Sequence, residues 1–537
     1  MVNRVNCNTF VLAGGRKRVS CHLQMKRLTT IKPPLTATVF LAVFFFSSFP
    51  IMGQIARLGG DIQYRGMVSG TASSGDNAPF WFTNNRYGLG TTEGESAILR
   101  LCLQRNAEAD SLRKWRIGYG VDAAASVNYD SHVVLQQLYF DVQWKPLRLS
   151  IGQKERPMEL KKQMLSSGGL TEGINARPIP QVRLELPQFW SIPGTRGWLA
   201  LKAHIAYGAF TDNGWQRTHA GISGRRTANG LYHSKAVFLR IGNTEKFPLS
   251  VTGGLEMSAQ FGGEAWNVNR RADDTSDFDN TYVKMGHGFR DFLNAFIMGG
   301  SDVNDGAYKN VAGNQLGSWH LRLDYAGKGW SASAYAEHFF EDHSQLFWQY
   351  AWKDMLYGVE VSLPANPFLS TIVYEHLGMK DQSGCIYHDA TSTIPDQISA
   401  MDNYYNNGIY TGWHHAGFAI GSPLLISPIY NNNNIYFFHN RVVAHHLGLN
   451  GHPCKEVDWR LLYTHQKSWG TYDTPLLDPL KANYLLAEVG YSPCKIPGLR
   501  VRASYGMNQG KLLGNSHGAM LTVAYSGWIN SKKGNKK

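Results

Sequence analysis

Apolar and polar residues alternate along most of this chain with a period of two. The pattern is plain in Leu138-Tyr139-Phe140-Asp141-Val142-Gln143-Trp144. Leu138, Phe140, Val142 and Trp144 fall on one face of an extended segment, and Tyr139, Asp141 and Gln143 on the other. A turn at Lys145-Pro146 leads into Leu147-Arg148-Leu149-Ser150-Ile151, which repeats the two faces. Leu199, Leu201, Ala203, Ile205 and Tyr207 likewise oppose Ala200, Lys202, His204 and Ala206. Farther on, Trp319, Leu321, Leu323 and Tyr325 oppose His320, Arg322 and Asp324, and Leu499, Val501, Ala503 and Tyr505 oppose Arg500, Arg502 and Ser504. Amphipathic helical periodicity is scarce.

The alternation predicts eighteen strands, at roughly 57–70, 95–107, 114–128, 132–144, 147–154, 180–187, 196–210, 231–242, 249–261, 315–325, 330–340, 355–363, 368–377, 435–449, 458–468, 483–491, 498–507 and 518–528. Short connections (such as 145–146, 243–248 and 364–367) alternate with long ones (such as 71–94, 155–179, 262–314 and 378–434), apart from a brief link at 129–131. Outer-membrane barrels sort their connections in this way, with short periplasmic turns and long outer loops. The expectation is an all-β, antiparallel transmembrane barrel of about eighteen strands over 54–530. Long extracellular loops plug its lumen, and its first and last strands pair to close the ring.

Composition and charge fit that reading once the ends are set aside. The first 53 residues hold seven Lys/Arg and no acid, and Leu35–Phe46 is an apolar run followed by small residues. This predicts a signal peptide at 1–53 with Met25 as the true start, since the run is too short to span a bilayer as a helix. Removing those seven takes the formal net charge from +13 to +6. Setting aside the four lysines of a basic tail at 531–537 leaves about +2. The high pI is therefore no argument for nucleic acid. No Pro/Ser linker divides 54–537 into the several soluble domains that a chain of 537 residues would ordinarily suggest.

Several short motifs form a series along the chain: Pro79-Phe80-Trp81, Asn85-Arg86-Tyr87-Gly88, Gly152-Gln153-Lys154, Leu165-Ser166-Ser167-Gly168, Asn175-Ala176-Arg177-Pro178-Ile179-Pro180, Ile192-Pro193-Gly194-Thr195, Gly313 to Trp319, and Phe340-Glu341-Asp342-His343-Ser344. Together they resemble the Wzi family of capsule-assembly outer-membrane proteins, in its Bacteroidetes-type form. The resemblance spans roughly 60–528. It implies an eighteen-stranded outer-membrane lectin of a Gram-negative bacterium that holds or organises capsular polysaccharide. It also implies contacts with outer-membrane lipid and with the capsule export machinery, and neither catalysis nor a cofactor. The periplasmic helical bundle of enterobacterial relatives has no counterpart between Gln54 and Tyr64.

Mixed acidic, basic and aromatic loops suit sugars, which offer hydroxyls to polar groups and apolar ring faces to aromatics. The candidate glycan-binding residues are Trp266, Arg270 and Arg271 in loop 262–314, Glu341 and Asp342 at the next long loop, and Tyr404, Tyr405 and Trp413 in loop 378–434. Solvated or plug-forming loop residues are the plainer reading of each. Glu341-Asp342-His343 invites an acid/base or metal reading, but adjacent residues at a strand end point different ways. Gly514-Asn515-Ser516-His517-Gly518 matches a nucleophile-elbow pattern, yet an alternating strand follows where that motif needs a helix. Four cysteines survive the expected cleavage. Cys454 and Cys494 sit in like Pro-Cys-Lys contexts on turns expected to be neighbours in the periplasm, where disulfides form, and are a candidate disulfide. Two other readings remain open: a porin-like solute channel, distinguished by an open lumen, and an outer-membrane hydrolase built on Glu341, Asp342 and His343.

Overall fold

A computed structural model describes residues 58–110, 113–221, 224–268, 282–300, 312–341, 353–382 and 401–529. The expected leader (1–53) and tail (531–537) lie outside them.

Alternating segments become strands because each has one face for lipid and one for the interior. There are eighteen in one closed antiparallel sheet. In chain order they are β1 (Ile62–Gly75), β2 (Glu95–Arg105), β3 (Trp115–Val127), β4 (Val133–Trp144), β5 (Leu147–Gln153), β6 (Gln181–Ser191), β7 (Leu199–Ala209), β8 (Leu231–Ile241), β9 (Leu249–Phe261), β10 (Asn314–Ala326), β11 (Ser331–Glu341), β12 (Met355–Ser362), β13 (Thr371–Met379), β14 (Val442–Cys454), β15 (Val457–Gly470), β16 (Pro475–Tyr491), β17 (Leu499–Gly510) and β18 (Ser516–Ile529). Each pairs with the next, and β1 pairs with β18 from Ile62↔Ile529 to Gly75↔Ser516, so no edge is left.

The two faces are inverted relative to a soluble protein. Leu101, Val121, Leu138, Val237, Leu321, Val359 and Leu521 stand exposed on the outside, while Arg100, Asp122, Asp141, Glu185, Glu337 and Glu375 are buried inside. Backbone groups in hydrocarbon must be satisfied within the protein, which a closed barrel achieves and an open sheet does not. Aromatic residues collect at the outer surface of the short-turn end, among them the ring pairs Trp115–Trp144 and Tyr325–Trp330. Such girdles mark the membrane–water interface. Among the described residues no helix is long and apolar enough to cross a membrane. The chain is an outer-membrane β-barrel.

Several boundaries depart from the sequence reading, among them three strand starts and the ends of β1, β6 and β14, which run four or five residues longer. β14 begins at Val442, not 435, because Ile435 and Phe437 turn inward and are buried in the plug. β16 begins at Pro475, eight residues early, where Pro475 and Pro479 mask the pattern. β1 begins at Ile62. A further departure concerns the loop between β9 and β10. A helix within it, Phe289–Ile297, packs on the outside of the wall. Phe292 lies against Phe261 and Tyr207, and the Tyr207 hydroxyl donates to the Phe292 carbonyl at 3.0 Å. Phe289, Leu293 and Ile297 of this helix remain exposed. This part of the loop covers the barrel's flank and takes no part in filling the lumen.

The candidate disulfide is not formed, and both Cys454 and Cys494 are free and exposed. Glu456 holds the two turns together instead. Its carboxylate accepts the Cys494 backbone N–H at 2.7 Å, and its carbonyl accepts that of Ser492 at 2.7 Å. Hydrogen bonding to that carboxylate also raises the Cys494 thiol pKa.

Candidate functional site

Three chain segments descend from the long-loop end and interlock inside the barrel: 76–94, 154–180 and 401–441. The middle one is a strap across the lumen, secured at both sides. On one side the Glu155 amide donates to Gln137 at 3.0 Å, and the Glu155 carboxylate meets Arg100 at 2.7 Å. On the other side, wall carboxylates receive it. Glu375 accepts the Ser166 hydroxyl at 2.7 Å and both the amide (2.7 Å) and hydroxyl of Ser167. Glu337 accepts the Leu170 amide at 3.0 Å and pairs with buried Lys161 at 2.8 Å, while Glu360 accepts the Lys162 amide at 3.0 Å. These bonds answer why acids line the inner face: a loop buried in a barrel carries backbone donors that must find acceptors.

The other two segments lock onto the strap. The Trp413 indole donates to the Thr171 carbonyl at 2.7 Å, the Gly173 amide to the Ile420 carbonyl at 2.8 Å, and the Asn175 side chain to the Ala419 carbonyl at 3.1 Å. The Tyr405 hydroxyl donates to the Leu170 carbonyl and accepts the Ser422 amide at 2.9 Å. Gly421 is needed there, since a Cβ would lie 2.1 Å from that hydroxyl and 2.2 Å from the Leu170 carbonyl. From 76–94, Asn85 donates its amide to Asn175 at 2.9 Å, and Asn84 donates to the Tyr430 hydroxyl at 2.7 Å. Phe80, Tyr404, Tyr405, Trp413, Phe418, Leu424 and Phe437 are buried here with Leu316, Phe339 and Tyr484 of the wall. The upper lumen is thus a packed core.

Four of the eight candidate glycan-binding residues fall in the plug or against it. Tyr404, Tyr405 and Trp413 are fully buried, and Glu341 accepts the Tyr405 amide at 2.6 Å. All four hold the plug together and offer nothing to a sugar arriving from outside. Glu341 seats the plug by accepting the Tyr405 amide through one carboxylate oxygen. Arg270, Arg271, Asp342 and His343 lie outside the described residues. Ser516 of the elbow-like motif opens strand β18, with no helix after it. Among the described residues no three His, Cys, Asp or Glu side chains converge as metal ligands.

Trp266 is different. It sits on the central strand of a small sheet made of Arg226–Ala228, Glu264–Trp266 and Tyr282–Lys284, above the barrel mouth. Register places Arg226 on one side of Trp266 and Tyr282 on the other. The Arg226 guanidinium lies 5.0 Å from the Trp266 ring centre and the Tyr282 ring 5.6 Å away. Tyr282 is exposed, and Ala265, Val283 and Met285 anchor the sheet on Ile409 and Tyr410 of the plug. The result is an aromatic ledge in which the Arg226 guanidinium lies over the Trp266 ring and the Tyr282 ring is tilted at 52° beside it. It can take a sugar ring against the exposed Tyr282 while Arg226 binds a carboxylate or hydroxyl. Arg226 and Tyr282 were not singled out in sequence because they come from three-residue strands in two different loops, too short for any period to show.

Two histidines in the plug are held neutral by burial. His414 is pushed down to about 4, with Asp212 opposing that effect more weakly, and His439 is pushed down to about 4. His414 Nδ1 lies 3.8 Å from the Asp212 carboxylate.

No protein-family model matches the chain, and no curated protein matches it in sequence. Among solved structures it is similar to Wzi, an outer membrane protein involved in group 1 capsule assembly in Escherichia coli and described as a carbohydrate-binding β-barrel. That likeness has 12% identity and a TM-score of 0.51, and covers 88% of this chain and 86% of that one. OprD from Pseudomonas aeruginosa matches at 10% identity and TM-score 0.41, over 88% of this chain and 94% of that one. OccAB4 from Acinetobacter baumannii matches at 10% identity and TM-score 0.40, over 87% and 98%. At these identities the likeness is one of fold.

Proposed function

We propose that this chain is a plugged, lectin-like outer-membrane barrel. It binds capsular or other surface polysaccharide and holds or organises it during capsule assembly, as the motif resemblance to the Wzi family implies. The observation that carries the reading is the wall-anchored plug surmounted by the Trp266–Tyr282–Arg226 ledge. A lumen filled by three interlocked segments supports a binding role over a solute channel. The ledge supplies the ring-stacking surface and cation that an acidic glycan needs. Its partners are the polysaccharide, the surrounding lipid and the capsule export machinery. It acts by adhesion, without turnover and without a cofactor.

Deleting the gene and scoring capsule retained on cells against capsule shed into the medium tests the function as a whole. Retention is expected to fall sharply, and unchanged retention overturns it. Complementation with the Trp266→Ala, Arg226→Ala double variant is expected to fold normally but lower glycan binding by about tenfold or more, the loss of one stacking and one charged contact. A channel would instead show steady conductance in a planar bilayer, where near-silence is expected.

A further inference from the structure

We infer that the outer surface at the extracellular ends of β14–β17 is a binding site for the phosphorylated headgroup of an outer-leaflet lipid. The basis is a row of lysines facing the bilayer. In upper β15 and β16 the even-numbered residues Gln466, Ser468, Ala482 and Tyr484 are fully buried toward the plug. Gln466 donates to the Leu424 carbonyl at 2.6 Å. The odd-numbered residues therefore point away from the lumen. Among them, Lys467 and Lys481 are direct cross-strand partners. Lys511 extends the row from the adjoining hairpin, its amide donating to the Lys481 carbonyl at 2.9 Å. Among the described residues none of the three lysines is ion-paired. The exposed acid of the same strand, Asp478, lies above the row.

Like charges placed directly opposite on a sheet repel, and the repulsion grows where low-dielectric material replaces water. An anion bearing two charges reverses that cost. The layers beneath the row identify the anion's source. Just below, His465 and Asn483 are paired in register, and the Asn483 side-chain oxygen meets both His465 Nδ1 and the Tyr463 hydroxyl at 2.9 Å. His445 of β14 is the direct cross-strand partner of His465. Below them the outward face becomes Leu461, Leu485, Ala487 and Val489. Apolar side chains, then Tyr/His/Asn, then lysine is the order of acyl chain, interface and phosphate in a membrane leaflet. A soluble anion would have no use for the apolar lower part of this surface. The inference is independent of what the ledge binds.

The test reconstitutes the mature barrel in nanodiscs of phosphatidylcholine containing bisphosphorylated lipid A. Lipid A retained after mild detergent extraction is then counted by native mass spectrometry. The Lys467→Gln, Lys481→Gln, Lys511→Gln variant is expected to retain between about tenfold and a hundredfold less, given the usual contribution of each membrane-facing cation. Lys481→Gln alone is expected to cost about threefold to tenfold, and serves if the triple variant does not fold. Lys328→Gln with Lys495→Gln, at the opposite rim, should match wild type. Equal retention by the triple or single variant overturns the site. So does equal retention of dephosphorylated lipid A, or displacement of lipid A by millimolar inorganic phosphate, which would make it a general anion site.

Discussion

The upper and lower halves of the lumen are built on opposite principles. Above, Leu316, Phe339, Tyr484, Trp413 and Phe418 pack as in the core of a soluble domain, and polar wall groups serve to cap backbone amides of the plug. Below, toward the short turns, the interior is a lattice of ions. Glu185 pairs with Arg148 at 2.7 Å and Arg183 at 2.8 Å, Arg322 with Asp324 and Glu360 at 2.7 Å each, and Arg500 with Asp458 at 2.7 Å. Cavities of about 110 and 140 Å³ lie among these groups, large enough for water. The strap 154–180 is the boundary. The same polar inner face therefore serves two ends: dry where loops enter to claim it, and wet where they do not. Blocking the barrel needs only the first.

The contrast is most easily broken from above. Trp413→Ala removes the largest fully buried side chain among the described residues and its bond to Thr171. It should cost about 3–5 kcal/mol of plug stability, read as faster amide exchange in 401–441. Glu375→Ala leaves three strap donors and the Tyr335 hydroxyl without their acceptor. About 3 kcal/mol is expected, with discrete conductance steps appearing in planar bilayers, where near-silence is the expectation for wild type.

Acid should act in the same direction. His414 titrates near 4 in the folded plug against an ordinary 6.5, so between those values the opened plug binds more protons than the closed one. Stability is full above about pH 6.5 and falls as pH drops toward 4, by up to about 3 kcal/mol for this residue. Amide exchange at pH 7.5 and 4.5 checks it, and His414→Leu should reduce the difference, with His439 and His415 supplying the remainder. The lower half should respond least. Arg500→Ala breaks a half-exposed pair and should shift stability by less than about 0.5 kcal/mol in a denaturant titration. A large effect there would mean that the ion lattice also bears load.

The wall was legible in the sequence because lipid outside and polar groups inside impose a period of two on every strand, and all eighteen expected strands are present. The plug was legible only as long loops. Tyr404, Tyr405 and Trp413 look like sugar-binding residues because the aromatic and hydrogen-bonding character that suits a glycan also suits a packed core with polar walls. Nothing local separates the two uses. Ile435 to Phe438 imitates a strand for the same reason. The ledge was half legible. Trp266 stood out, but Arg226 and Tyr282 reach it only through tertiary pairing of three short strands. The lysine row was hidden because Lys467, Lys481 and Lys511 become neighbours only when hairpins fix their register.

The seam between β1 and β18 has a consequence for biogenesis. Fourteen rungs join the two terminal strands, so the ring has no partial version: until the final strand is in place, two raw edges stay open. A chain cut short before Ser516 would present both to whatever else is in the periplasm. Assembly is then a single late commitment, and the last fourteen-residue strand acts as the latch on everything made before it.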